Sequence, residues 1–248
     1  MFSFPILNKN VLLLIPCCRC KNSIGNYVWH NQGINDIQRL REELLQYVKN
    51  TPSLSNRLSN QRGILNPNGV LTKAVDLYDG SFYKTVRNYL RQIVMKNQNF
   101  GIYILIVSAF YGLARLDEGL KEYDLEMKDK IYNGLKVYQF WQQKQLWRIL
   151  QNYIQQNNIE FVWSLLPDSQ QFPYNQVFNN LWRQLRNSQV KCFHVRVPGV
   201  GSGTGVKRAE WLVEILKTNP NYLITNPFPP NKFENITKCL FEYKLLNI

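Results

Sequence analysis

Histidine is nearly absent from this chain, with 2 in 248 residues, and cysteine is sparse at 5. So few imidazoles leave only His30 and His194 to support a metal centre, and none is expected. Five cysteines are too few for a disulfide scaffold, and three of them crowd at Cys17, Cys18 and Cys20, so reduced thiols are the simpler expectation. Long apolar runs are also missing. The stretches at 11–15 and 102–107 fall far short of the roughly 20 residues needed to cross a bilayer, which excludes them as membrane spans. The apolar stretch near the N-terminus has no basic leader and no small-residue cleavage site, so a cytoplasmic location is expected. No cofactor fingerprint is complete: the glycine-rich stretch lacks the Lys-Ser/Thr ending of a P-loop and the spacing of a dinucleotide motif, and no cofactor is expected.

Acidic charge is scarce as well, with 17 Asp and Glu against 30 Lys and Arg, a net charge of +13. Such a field favours polyanionic partners. Residues 1–75 carry nine bases and three acids, and 171–220 carry seven and two, whereas Asp117, Glu118, Glu122, Asp124, Glu126 and Asp129 gather in one segment. The charge is therefore expected to be polarised. A solvated basic surface without a partner is the plain alternative.

Short β-rich runs alternate with amphipathic segments, the pattern of an α/β fold with a mixed, largely parallel sheet covered by helices. Strands are predicted at 11–15, 102–107, 159–165 and 190–197, and helices at 34–50, 81–96, 140–157, 174–188 and 206–217. The helix over 81–96 follows from Phe82, Val86, Tyr89, Leu90, Ile93 and Val94 at helical spacing, with Asp79 or Ser81 as its cap. A single domain over 1–248 is expected, with a loop or insertion near 51–75, where Asn, Ser, Pro and Gly abound.

Each predicted strand runs into a chemistry-bearing loop: PCCRCKN, SAFYGL, LPDSQQF and PGVGSGTG. If the strands are parallel, all four loops leave one sheet edge, where open α/β sheets bind ligands. In the first loop Cys17 is a candidate nucleophile, with Arg19 and Lys21 near enough in sequence to stabilise a thiolate, or else a small buried apolar residue. Tyr111, Arg115, Asp117, Tyr123 and Glu126 follow the second strand, as candidate catalytic groups or as a structural clamp, and Asp168 follows the third. Gly199, Gly201, Gly203 and Gly205 precede a helix bearing Lys207 and Arg208, which fits phosphate binding at a helix N-terminus, or a plain turn. The P-G-V-G also resembles the hairpin of helix-hairpin-helix modules, although a strand precedes it here.

Ser108, Tyr111, Gly112, Arg115 and Asp117, then Tyr123, Leu125, Glu126 and Met127, then Tyr138, Phe140 and Trp141, together with LYDGSFYKTV and SLLPDSQQF, resemble the segments of the YaaA peroxide-stress family. Leu116 stands where that family has proline, and PCCRCK is similar to the Pro-Cys-x-x-x-Lys loop of some phage and base-modification relatives. The resemblance covers about 74–175. Together with the charge, it implies a protein linked to peroxide stress that binds DNA without sequence preference. Its phosphate contacts would come from Lys21, Lys84, Arg87, Arg91, Arg115, Arg183, Arg186, Lys207 and Arg208 and from the glycines at 199, 201 and 203. An enzyme acting on a nucleotide or nucleic-acid base, through Cys17 and the acids Asp117, Glu126 and Asp168 with Tyr111, is the alternative.

Overall fold

The computed structural model describes residues 7–22, 34, 36–59, 63–95, 101–167, 169, 173–198, 203–224 and 242–246. In chain order the elements are β1 (Asn10–Pro16), α1 (Ile37–Lys49), α2 (Pro52–Leu58), β2 (Thr72–Lys73), α3 (Ala74–Leu77), α4 (Ser81–Met95), β3 (Ile102–Ser108), β4 (Gly112–Arg115) and β5 (Gly119–Leu120). There follow α5 (Val137–Gln143), α6 (Leu146–Gln156), β6 (Ile159–Ser164), α7 (Asn179–Gln184), β7 (Lys191–Arg196), α8 (Thr204–Thr218) and β8 (Glu242–Leu245).

Six strands form one sheet in the order β4-β3-β1-β6-β7-β8. The four runs predicted from sequence are its parallel heart: β1 pairs in parallel with β3 and β6, and β6 with β7. Antiparallel β4 and β8 close the two edges. Val11 to Ile15 are fully buried, as the middle of a sheet covered on both faces requires. Helix α4 lies against α8, while α5, α6 and α7 form a second group. Among the described residues no helix is long and apolar enough to cross a membrane.

Three segments depart from expectation. The single helix predicted over 140–157 is two, because Gln145 sits at φ 55, in the left-handed region, and breaks the backbone between α5 and α6. The helix over 174–188 is α7 flanked by 3-10 turns at Asn175–Phe178 and Leu185–Asn187. The stretch 51–75 is not a bare loop: it carries α2 behind a helix-starting Pro52, and β2, which pairs antiparallel with β5.

Beneath this frame lies a buried ion pair. Arg41, on α1, meets the Glu118 carboxylate, and donates from Nε to the Tyr111 carbonyl at 2.9 Å and from Nη2 to the Leu113 carbonyl at 2.7 Å. Glu118 also accepts from the Arg115 amide at 3.2 Å. One side-chain pair thus ties α1 to the β3–β4 hairpin and to the turn that follows it.

Candidate functional site

Because β1, β3, β6 and β7 are parallel, their carboxyl ends share one edge. A cavity of about 330 Å³ opens there. Its walls come from the loop after β1 (Pro16 to Cys20), the start of α4 (Gly80 to Phe82), Leu125 to Lys128, Pro167 and Tyr174, and the start of α8 (Thr204, Gly205 and Arg208). Phe82, Leu125, Met127 and the two prolines make most of this surface apolar. The unpaired N–H groups of two helix starts and the Arg208 guanidinium give it positive character. Arg208 is buried, with Nε donating to the Val195 carbonyl at 2.9 Å, so it is a wall of the cavity rather than the surface contact expected from sequence.

Cys17 stands at the floor. Its Sγ is in hydrogen-bonding contact with the Tyr174 hydroxyl at 3.2 Å. The Tyr123 hydroxyl reaches Ser108 Oγ at 2.7 Å, and Tyr78 joins both, at 3.2 Å to Tyr123 and 3.3 Å to Ser108. Ser108 Oγ further accepts from the Tyr111 amide at 2.9 Å, and Tyr83 donates to the Pro16 carbonyl at 2.8 Å. Burial drives the phenols of Tyr78, Tyr83, Tyr123 and Tyr174 well above their ordinary range. They therefore stay protonated around the thiol, as hydrogen-bonding hydroxyls and not as bases. Lys21 lies over the Tyr123 ring at 4.0 Å and donates to the Cys18 and Arg19 carbonyls at 3.0 and 3.2 Å. Burial lowers the Lys21 pKa, against the nearby thiols and acids, which raise it. Arg19 instead reaches out to Asp124 at 3.7 Å.

The cavity brings together Cys17, Glu126 and Arg208 of the residues singled out from sequence. It does not include Tyr111, Arg115 or Asp117. The expectation that these leave with the second loop at one edge is corrected by the β3–β4 hairpin: after Ser108 the chain reverses at Gly112, and β4 carries Arg115 back opposite Leu105. Arg115 then grips Asp117 in a two-pronged pair, from Nε at 3.0 Å and Nη2 at 2.9 Å. Both line a separate cavity of about 320 Å³ with Gly101, Ile102 and Asn157, at the amino end of β3. Tyr111 is buried, its hydroxyl accepting from the Lys121 amide at 2.7 Å and donating to the Lys121 carbonyl at 2.9 Å. It lines a smaller cavity of about 150 Å³ with Arg41.

Several of the bases expected to meet phosphate are tied to neighbouring acids. Asp79 takes Arg87 at 2.6 Å and Lys84 at 3.8 Å, so its carboxylate serves these bases, and α4 begins at Ser81. The Arg87 hydrogen bond holds the Asp79 carboxyl below its ordinary range. Arg91 pairs with Asp76 at 2.7 Å, and Lys207 with Glu210 at 2.8 Å. Arg183 and Arg186 are exposed on α7 and the turn after it. Gly203 takes φ 85 just before α8, a conformation that suits glycine. Asp168, Gly199, Gly201 and His30 lie outside the described residues.

One group is not evident from the sequence alone. Tyr78, Tyr83 and Tyr174 are scattered over the chain, and only the topology gathers them round Cys17. The spacing of Cys17 and Cys20, by contrast, is a plain C-x-x-C, a signal the sequence does carry. Among the described residues no group of three or more His, Cys, Asp and Glu side chains is placed to hold a metal ion.

No curated protein matches this chain at a significant level. A family model described as Peroxide stress protein YaaA matches residues 31–195, a span that holds the hairpin, the tyrosine–serine cluster and Glu126 but neither the cysteine loop nor α8. The chain therefore belongs to the peroxide stress protein YaaA family.

Proposed function

We propose that this chain serves the peroxide-stress response by binding DNA, with little sequence preference, at the carboxyl edge of its sheet. The observation that carries this reading is the sharing of one edge by the cavity and by exposed cations. Arg19, with its side chain 72% exposed, and Lys128 line it, while Lys84, 67% exposed, sits one turn into α4. Their acid partners stand at 3.7, 3.1 and 3.8 Å for Arg19, Lys128 and Lys84. Exposed ion pairs of this kind contribute roughly 0–1 kcal/mol, so phosphate oxygens can replace the carboxylates at small cost. The net charge of +13 supplies the long-range attraction.

Titration of a labelled duplex at several salt concentrations tests the proposal. Affinity is expected to fall steeply with salt. Replacing Arg19 and Lys84 together with Ala should make the log–log slope shallower by about 0.9 for each phosphate that is no longer neutralised. No binding even at low salt, or an unchanged slope in the double variant, would overturn it.

A second reading, chemistry on a nucleotide or an extruded base, draws on one further observation. Cys17 and Glu126 line the same cavity, whose apolar walls and volume suit a planar ring. Glu126 would accept a hydrogen bond from the ring edge and Cys17 would be the nucleophile.

A further inference from the structure

Cys17 and Cys20 bracket the turn that forms the cavity mouth, one thiol at its floor and buried, the other exposed at its rim. Both ends of that turn are anchored: the Cys17 amide donates to the Val107 carbonyl at 3.0 Å, and the Cys20 carbonyl accepts from the Asp79 amide at 2.9 Å. Cys18, between them, is locked away. Its Sγ accepts from the Gly80 amide at 3.1 Å and donates to the Cys20 carbonyl at 2.9 Å. Gly80 presses so close that a Cβ built there would lie 2.8 Å from the Cys18 Cβ. Burial also pushes the Cys18 thiol up to about 12, which leaves almost no thiolate at neutral pH.

We propose that Cys17 and Cys20 are a peroxide-oxidisable dithiol that closes to an intramolecular disulfide. The exposed Cys20 reacts first: its sulfur attacks a hydroperoxide, an S–O bond forms, the O–O bond breaks, and with hydrogen peroxide one water leaves. The Cys17 sulfur then attacks the Cys20 sulfenic acid. An S–S bond forms as the S–O bond breaks, and the departing hydroxide carries away the Cys17 proton as a second water. Two thiols and one hydrogen peroxide thus give one disulfide and two waters. Pairing with Cys18 is disfavoured on both sides. Cys17 and Cys18 are adjacent, about 3.8 Å apart at Cα, below the usual disulfide span. Breaking Cys18 away toward Cys20 would cost both of its hydrogen bonds. The inference stands on the thiols alone and does not depend on nucleic-acid binding.

Peptide mapping of the whole reduced protein after stoichiometric hydrogen peroxide, with remaining thiols alkylated, decides it. Trypsin cuts after Lys9, Arg19 and Lys21, so the expected product is the 10–19 peptide joined to the Cys20-Lys21 dipeptide. Dithiothreitol should release it. The product should persist in Cys18→Ser and vanish in Cys17→Ser, where dimedone should instead trap a sulfenic acid on Cys20. Cys192, buried and with its thiol pushed up to about 12, should stay reduced and serve as the internal control. Linkage through Cys18, linkage only between chains, or over-oxidation of Cys20 with Cys17 still a free thiol would each overturn the proposal. Should Cys17→Ser fail to fold, fragmentation of the parent's linked peptide still identifies the bonded sulfur.

Discussion

Replacing Arg41 with Met will destabilise the protein by about 3–5 kcal/mol, as expected when one member of a buried ion pair is removed. Arg41 is 5% exposed and Glu118 2%, so the carboxylate left behind has no water to replace its partner. The Tyr111 and Leu113 carbonyls lose their donors in the same step. Adding Glu118→Leu to Arg41→Met should recover much of the loss, because the uncompensated charge goes with it. Urea denaturation at neutral pH gives both numbers. A shift below about 1 kcal/mol for the single variant would put the pair among solvated surface contacts.

Trp163→Ala should cost a similar amount, about 3–5 kcal/mol, as large-to-small changes of fully buried aromatic residues do. Trp163, on β6, stacks on Phe193 of β7 with ring centres 4.8 Å apart, and lies 5.4 Å from Trp211 of α8 and 5.8 Å from Tyr243 of β8. Its indole N–H donates to the Leu223 carbonyl at 3.0 Å. The substitution removes the ring on which α8 rests, and α8 carries Thr204, Gly205 and Arg208 into the cavity. Lost stability and weakened DNA binding should therefore appear together, while Trp163→Phe, which keeps most of the ring and loses the N–H, should cost much less of both. Denaturant midpoints set beside duplex titrations test the link. A loss of stability with DNA affinity untouched would separate α8 from the binding edge.

The strands were legible because a sheet buried on both faces writes itself as unbroken apolar runs such as VLLLI and IYILIV. From parallel strands followed the shared edge, and from that the meeting of Cys17 with Glu126 and the start of α8. What sequence could not supply was the reversal after Ser108. SAFYGL reads as another edge loop, yet Gly112, at φ 66 and pressed against Trp141, turns the chain into β4 and carries Arg115 and Asp117 to the far end of the sheet. Charge was similarly ambiguous. The basic stripe Lys84, Arg87 and Arg91 is plain in the sequence, whereas the acids that hold it, Asp76 on α3 and Asp79 in the turn after it, lie before the helix. The phenols round Cys17 lie up to 157 positions away from it, and no local pattern relates them.

Amide hydrogen exchange, followed by mass spectrometry with and without a saturating DNA duplex, reads the proposed contact face directly. The first amides of α4 and α8 lack helical partners and exchange fast in the free protein, so a phosphate or base seated against them is visible as slowed exchange. Binding at the carboxyl edge predicts protection in peptides covering residues 17–22, 79–83 and 204–208. Protection confined to the α7 region around Arg183 and Arg186, with those three segments exchanging as in free protein while the duplex is bound, would contradict it.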